Sequence, residues 1–322
     1  MSRIDTPCNA NAAPEAAALM KYLDEVAGKG VLLGQHTQTR DPKELHYIKE
    51  VTGKLPAICG FELLAYSGNV RWDTCNEACL KELYENLGTI ENALDWGRKK
   101  GIVTLTWHWY SPVGGRDKSF YAENTDFDGE KALAAGTEEN RAMLRDLDLM
   151  AVHLRRFQEE NIPVLWRPFH ESDGTWFWWG SQGPELAKKL YQFMYHYFTE
   201  KKGLNHLLWV WNSVLPEGYP GDDVVDIISR DTYLPAHAHH SQADGYRELI
   251  QITPTEQSCA LAEVGTQPDV DAIVKEKIPW CWYMTWSNEF GSSEEFTDKK
   301  QLFANYHSSY GISYEELPWN RK

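Results

Sequence analysis

The chain has 322 residues, 42% of them hydrophobic and 25% charged, an ordinary globular balance with ample material for a large core. Thirty-two basic against 47 acidic residues give a net charge of -15, a field that repels a phosphate backbone and argues against nucleic acid as a partner. No apolar run reaches the ~18 residues of a membrane span, and six cysteines are too sparse for a disulfide scaffold.

The first segment, MSRIDTPCNANAAPEAAALM, lacks the apolar stretch of a secretory leader. That suits either a cytoplasmic protein or one already processed. Short apolar runs rich in Val, Ile and Trp then follow: VLLGQH (31–36), PAICGFELL (56–64), IVTLTWHWY (102–110) and PVLWRPFHE (163–171). HLLWVWN (206–212), VVDIISRDTY (224–233), CALAEVG (259–265) and PWCWYMTW (279–286) complete the set. Helical stripes lie between them. Leu80, Leu83, Leu87, Ile90 and Leu94 form one, and Met143, Leu147, Met150, Leu154 and Phe157 a second. Leu186, Leu190, Phe193, Met194 and Tyr197 form a third, behind Pro184 at a favourable first-turn position.

Near-continuous hydrophobicity in the eight runs means that both faces of each strand are covered, as in a parallel sheet. Eight such strands alternating with helices predict an α/β fold, a (β/α)8 TIM barrel. No linker interrupts the chain, so residues 1–322 are expected to form one catalytic domain with its barrel core at roughly 30–310. The rival is a doubly wound open sheet, which often carries a Gly-rich phosphate loop after its first strand; none is present here. Cys59, Cys259 and Cys281 fall inside strands, where a thiol acts as a small hydrophobe. Cys75 and Cys79, four residues apart, and His237, His239 and His240 in LPAHAHH could each offer metal ligands. Neither set has the supporting spacing of a known metal motif, so no metal is expected.

In a barrel the active face is built where strands end. Those ends carry Gln35 and His36, Glu62, His108 and Trp109, His170 and Glu171, Asn212, Asp231 and Tyr233, Glu263, and Trp286 with Asn288 and Glu289. Eleven of the 14 tryptophans lie in or just beyond the third, fourth, fifth and eighth runs. Trp166, Trp209 and Trp280 are expected in the core, and the rest fit stacking platforms for sugar rings in an aromatic-lined cleft.

Glycoside hydrolysis needs two carboxyl groups, a proton donor and a nucleophile or base. Glu171 and Glu263, on opposite rims, are the candidates. Alternation along the strand predicts Arg167, Phe169 and Glu171 pointing inward together. Arg167 is expected beside Glu263, lowering its pKa. Trp176 or a neighbour is expected against Glu171, raising its pKa. Glu62 and Glu289 compete, although substrate hydrogen bonding or pairing with loop arginines explains them as well. Asp231 could pair with Arg230 or orient a neighbour.

WRPFHE followed by GTWFWWG resembles the strand-4 motif of glycoside hydrolase family 26, the β-mannanase family within clan GH-A. Agreement continues through VTLTWHW, SFYAENTDFD, LLWVWN, DTY and AEVG, over roughly residues 30 to 290. The resemblance implies a retaining endo-acting hydrolase of β-1,4-mannosidic bonds that needs no cofactor. It implies Glu171 as acid/base and Glu263 as nucleophile, with His170 preceding the acid and Tyr233 bonded to the nucleophile. His108 would contact the sugar on the glycone side, Trp176 would flank the cleavage point, and Trp286 would lie beneath the reacting ring. Arg167 would support the nucleophile, while Trp109 and Glu62 would serve substrate binding. GFELLAYSG departs from members with an aspartate near Glu62, which leaves the distal glycone subsites open. Mixed-linkage glucan or xylan, an exo-acting variant, and a non-catalytic glycan-binding barrel are the alternatives. The expected partner is β-mannan polysaccharide or a manno-oligosaccharide, with the protein a monomer. Action on a polymer implies an extracellular setting, and imported oligosaccharides a cytoplasmic one.

Overall fold

In the computed structural model, which describes residues 6–321, eight parallel strands close into a barrel. They are β1 (Val31–Thr37), β2 (Ile58–Glu62), β3 (Ile102–Thr106), β4 (Val164–Arg167), β5 (Leu207–Asn212), β6 (Ile227–Thr232), β7 (Ser258–Val264) and β8 (Trp280–Thr285). Each pairs with its successor, and β8 pairs with β1, which also pairs with β2 and so closes the ring. A ninth strand, β9 (Gly311–Ile312), adds to Val31 and Leu32 outside the barrel. The leader reading begins on residues 1–5, which lie outside the described ones. No helix among the described residues is long and apolar enough to cross a membrane.

The barrel strands are buried almost throughout, which is why they read as unbroken apolar runs. The helix Glu138–Glu159 begins at Thr137, whose side chain accepts from the Asn140 N–H, and it buries the Met143-to-Phe157 stripe. The helix Pro184–His196 buries Leu186, Leu190 and Met194, while Phe193 is only half-buried.

Two expectations of regularity fail. The stripe from Leu80 to Leu94 is not one helix but two, Glu77–Asn86 and Thr89–Arg98, broken at Gly88 with φ of 96°. That left-handed conformation suits glycine and re-aims the chain. Six of the apolar runs also overshoot their ladders, since β2 ends at Glu62, β3 at Thr106, β4 at Arg167, β6 at Thr232, β7 at Val264 and β8 at Thr285. Of the residues beyond these ends, His108, His170, Glu171, Tyr233 and Trp286 line the site.

Candidate active site

β4 ends in a backbone reversal. Phe169 and Glu171 both adopt positive φ, 51° and 54°, which is unusual for residues with a Cβ and needs outside support. Alternation therefore stops at Arg167. Phe169 turns away from the cleft, packing its ring near Trp109, Trp178 and Trp179. Glu171 turns toward it, its N–H donating to Asn212 Oδ1 at 2.6 Å. The predicted common inward face of 167, 169 and 171 is thus wrong at Phe169.

Arg167 is 1% exposed and sits beneath the opposite carboxylate. Its Nη2 bonds Glu263 Oε1 and also donates to Thr106 Oγ1 at 3.2 Å; its Nη1 donates to Asp231 Oδ2 at 2.8 Å. Tyr233 Oη donates to Glu263 Oε2 at 2.9 Å. Asp231 in turn accepts from Asn212 Nδ2 at 2.8 Å. Its partner is therefore Arg167 rather than Arg230, which bonds Glu248. Asn212 holds both Asp231 and the backbone of Glu171, a linking role that sequence reading missed.

Oxygens of Glu171, Asp231 and Glu263 lie within 4.8 Å of one another. The Arg167 guanidinium already pairs with two of them, Asp231 and Glu263. Burial, with Asp231 second, pushes the Glu263 carboxyl up to about 8. The sequence expectation of a lowered value fails because burial outweighs Arg167, whose compensation is also divided with Asp231. Burial and Asp231 likewise push Glu171 up to about 7, opposed by the Trp176 Nε1–H, which donates to Glu171 Oε2 at 2.7 Å. The two carboxyls titrate as a pair, and hydrogen bonding decides where a shared proton resides. Both oxygens of Glu263 already accept from donors, whereas Trp176 engages only one oxygen of Glu171. The proton belongs on Glu171, although burial by itself favours Glu263.

Glu62 is fully buried under His108, accepting from its backbone N–H at 2.8 Å and bonding its Nδ1 at 2.7 Å. It touches neither loop arginine nor cleft, so the expected substrate contact is withdrawn. Burial opposes charge on His108, but Glu62 outweighs it and raises the His108 pKa above the usual 6.5. His108 Nε2 reaches His170 Nε2 at 3.1 Å. Burial and the nearby His108 and Arg167 charges hold His170 well below its usual value, hence neutral.

The cleft above has a volume of about 340 Å³, with Glu171 and Glu263 in its floor and His108, His170, Tyr233 and Trp286 around them. Trp286 stacks on His36 at 4.2 Å. Of the 11 clustered tryptophans only Trp176 and Trp286 reach this space; the other nine are fully buried. Trp109 is the clearest correction. It stacks on Trp107 at 4.3 Å, gives its N–H to Asp146 at 2.9 Å, and supports the wall from behind. Phe177, Tyr121 and the Lys118–Glu82 ion pair also line the cleft, contributions with no signal in strand-end reading because they come from loops and, for Glu82, from the helix Glu77–Asn86.

The sequence model of glycosyl hydrolase family 26 matches residues 8–316. The chain belongs to that family. A mannan endo-1,4-beta-mannosidase of Thermothelomyces thermophilus is 36% identical over 318 residues, covering 96% of this chain and 62% of that protein. One from Bacillus subtilis (strain 168) is 26% identical, covering 98% and 90%. Among solved structures of family 26 type, a β-(1,4)-mannanase from Podospora anserina superposes with a TM-score of 0.89 at 34% identity, covering 99% of this chain and 70% of that one. A β-mannanase from a symbiotic protist of the termite Reticulitermes speratus, complexed with gluco-manno-oligosaccharide, gives 0.88 at 28% identity, covering 98% of each chain. The chain spans 62% of the Thermothelomyces relative and 50% of one from Piromyces. Such relatives thus extend well beyond the region shared with this family 26 barrel.

Proposed function

We propose that the protein is a retaining endo-β-1,4-mannanase in which Glu263 is the nucleophile and Glu171 the acid/base. The observation that carries this reading is the approach of the two carboxyls to within 4.8 Å across one cleft. Retaining enzymes hold the pair ~5–5.5 Å apart, whereas inverting ones leave ~6.5–9.5 Å for a water between them. Glu263 attacks the anomeric carbon while Glu171 passes its proton to the departing oxygen, giving a covalent mannosyl-enzyme. Glu171, now ionised, takes a proton from water, which displaces Glu263 and restores both groups. Arg167 and Tyr233 fix the attacking oxygens. Trp286 offers a flat face for the sugar, and Trp176 stands beside the donor.

Mannan-type substrates are supported by the named activities of the relatives and by the gluco-manno-oligosaccharide bound in the protist enzyme. Action on a polymer places the reaction outside the cell, with the barrel acting as a single catalytic domain. Reducing ends should appear fastest on mannan and galactomannan, with internal cleavage of manno-oligosaccharides. Faster release from lichenan or xylan would reassign the polymer, and binding without product would refute hydrolysis.

The proton assignment gives a signed pH prediction. The Trp176 N–H stabilises ionised Glu171, so Trp176→Phe leaves the carboxyl holding its proton to higher pH. The alkaline limb of kcat/KM, which reports loss of the pair's last proton, should move upward. A limb that stays put or moves down would contradict Glu171 as the donor.

A further inference from the structure

His237, His239 and Asp298 lie on the same face of the barrel as the cleft but outside its lining. They bring one ligand atom each to within 4.8 Å of one another. The histidines come from the loop after β6, and Asp298 caps the helix Lys299–His307 in the segment after β8. We propose that these three side chains form a binding site for a divalent transition-metal cation of the zinc class, with water as fourth ligand.

His239 carries the argument. Its Nδ1 lies 2.7 Å from the Gln267 carbonyl oxygen, which can only accept, so Nδ1 bears the hydrogen. Nε2 then presents a lone pair, and it is buried without a hydrogen-bond partner. A metal-binding imidazole is typically arranged in this way, with one nitrogen donating to a carbonyl and the other aimed at the ion. Asp298 spends Oδ1 on the Gln301 N–H at 2.8 Å and keeps its other oxygen for a cation. His237 is exposed and free to swing. Zinc takes nitrogen at ~2.0–2.1 Å and carboxylate oxygen at ~2.0–2.2 Å in a tetrahedron. Ligand atoms would therefore close by about an ångström, a side-chain rotation for His237. Two imidazoles and a carboxylate leaving an open position form a familiar zinc set, and a chain of net charge -15 attracts the cation.

The surroundings say what the ion would do. The His237 N–H donates to the Phe296 carbonyl at 2.9 Å, Thr266 Oγ1 to the Pro235 carbonyl at 3.0 Å, and the Gln267 N–H to Thr297 Oγ1 at 3.1 Å. The segments after β6, β7 and β8 are thus already tied together, and the metal cross-links the first to the third. The first of these begins at Tyr233, the residue bonded to Glu263.

Zinc chloride titrated calorimetrically into the full chain, after chelator treatment and dialysis, tests the site. One equivalent is expected to bind saturably. His239→Gln and Asp298→Asn should each weaken it by more than about 100-fold, beyond the ~10–100-fold lost when a partner that merely orients a ligand is removed. His237→Gln is the third variant if either of those misfolds. A second cluster, Cys75, Cys79 and Asp117, could also capture the ion. Cobalt(II) substitution separates the two, since a nitrogen–oxygen site lacks a thiolate-to-cobalt band and Cys75→Ser should leave it unchanged. Absence of saturable binding, undiminished affinity in the variants, or a thiolate band would each overturn the proposal. The readout is metal affinity, so the result stands apart from the roles of Glu171 and Glu263.

Discussion

Glu263→Ala should lose turnover on mannan by on the order of 10⁵-fold, the scale of deleting a covalent nucleophile, or about 7 kcal/mol of barrier. The variant should nevertheless fold. Arg167 keeps its bond to Asp231, so no buried guanidinium is stranded. The space vacated is lined by that guanidinium and the Tyr233 hydroxyl, two donors suited to a small anion. Added azide should therefore settle there, attack from the face the carboxylate used, and restore part of the rate on an activated mannoside. The product would be a glycosyl azide of inverted configuration, read by NMR from the one-bond carbon–proton coupling at the anomeric centre. Rescue that yields the original anomer, or unrescued activity near wild type, would remove Glu263 from the reaction centre.

Glu171→Ala is expected to act differently on the two halves of the reaction. Proton donation contributes ~10²–10⁴-fold, so hydrolysis of unactivated mannan should fall by that factor. A dinitrophenyl mannoside departs without a proton, and its first step should be nearly spared. The second step lacks a base, so a burst of phenolate followed by slow turnover is the signature, with a mannosyl adduct on Glu263 visible by mass spectrometry. Equal losses on activated and natural substrates, with no burst, would mean that Glu171 is not the proton donor. Trp176 loses its acceptor in this variant, and at 48% exposure it can turn to water, so the wall need not collapse.

Strand identity and the placing of Glu171 and Glu263 at one cleft were legible because a closed parallel barrel leaves simple marks: apolar runs for strands and polar groups at their ends. What hid was whatever depended on where the ladder stops. Phe169 reads as a barrel-facing residue by alternation, yet the strand ends two positions earlier and the chain reverses. The break at Gly88 was visible as a glycine within a helical stripe, but the apolar spacing carried across it. The tryptophans defeated sequence reading for another reason. Trp176 and Trp109 look alike in a string, and only packing decides that one faces the cleft and the other Asp146. Asp231 was seen as a carboxylate but not as a rival for Arg167, and burial, with Asp231 second, reverses the sign expected for Glu263. Pairwise reasoning cannot anticipate a cation divided between two anions.

The two glutamates proposed to react hang from supports of unequal stiffness. Glu263 belongs to β7, which pairs with β6 and β8, and lies opposite Asp231, whereas Glu171 stands past the end of β4 on a left-handed turn outside the ladder, tied by Asn212, by the Trp179 indole N–H on the His170 carbonyl and by the Ser172 N–H on the Asn212 carbonyl. On warming, the donor's arm should slacken while the barrel beneath it is still intact. Inactivation would then precede melting, and an engineer seeking a hardier enzyme would reinforce this turn before touching the staves.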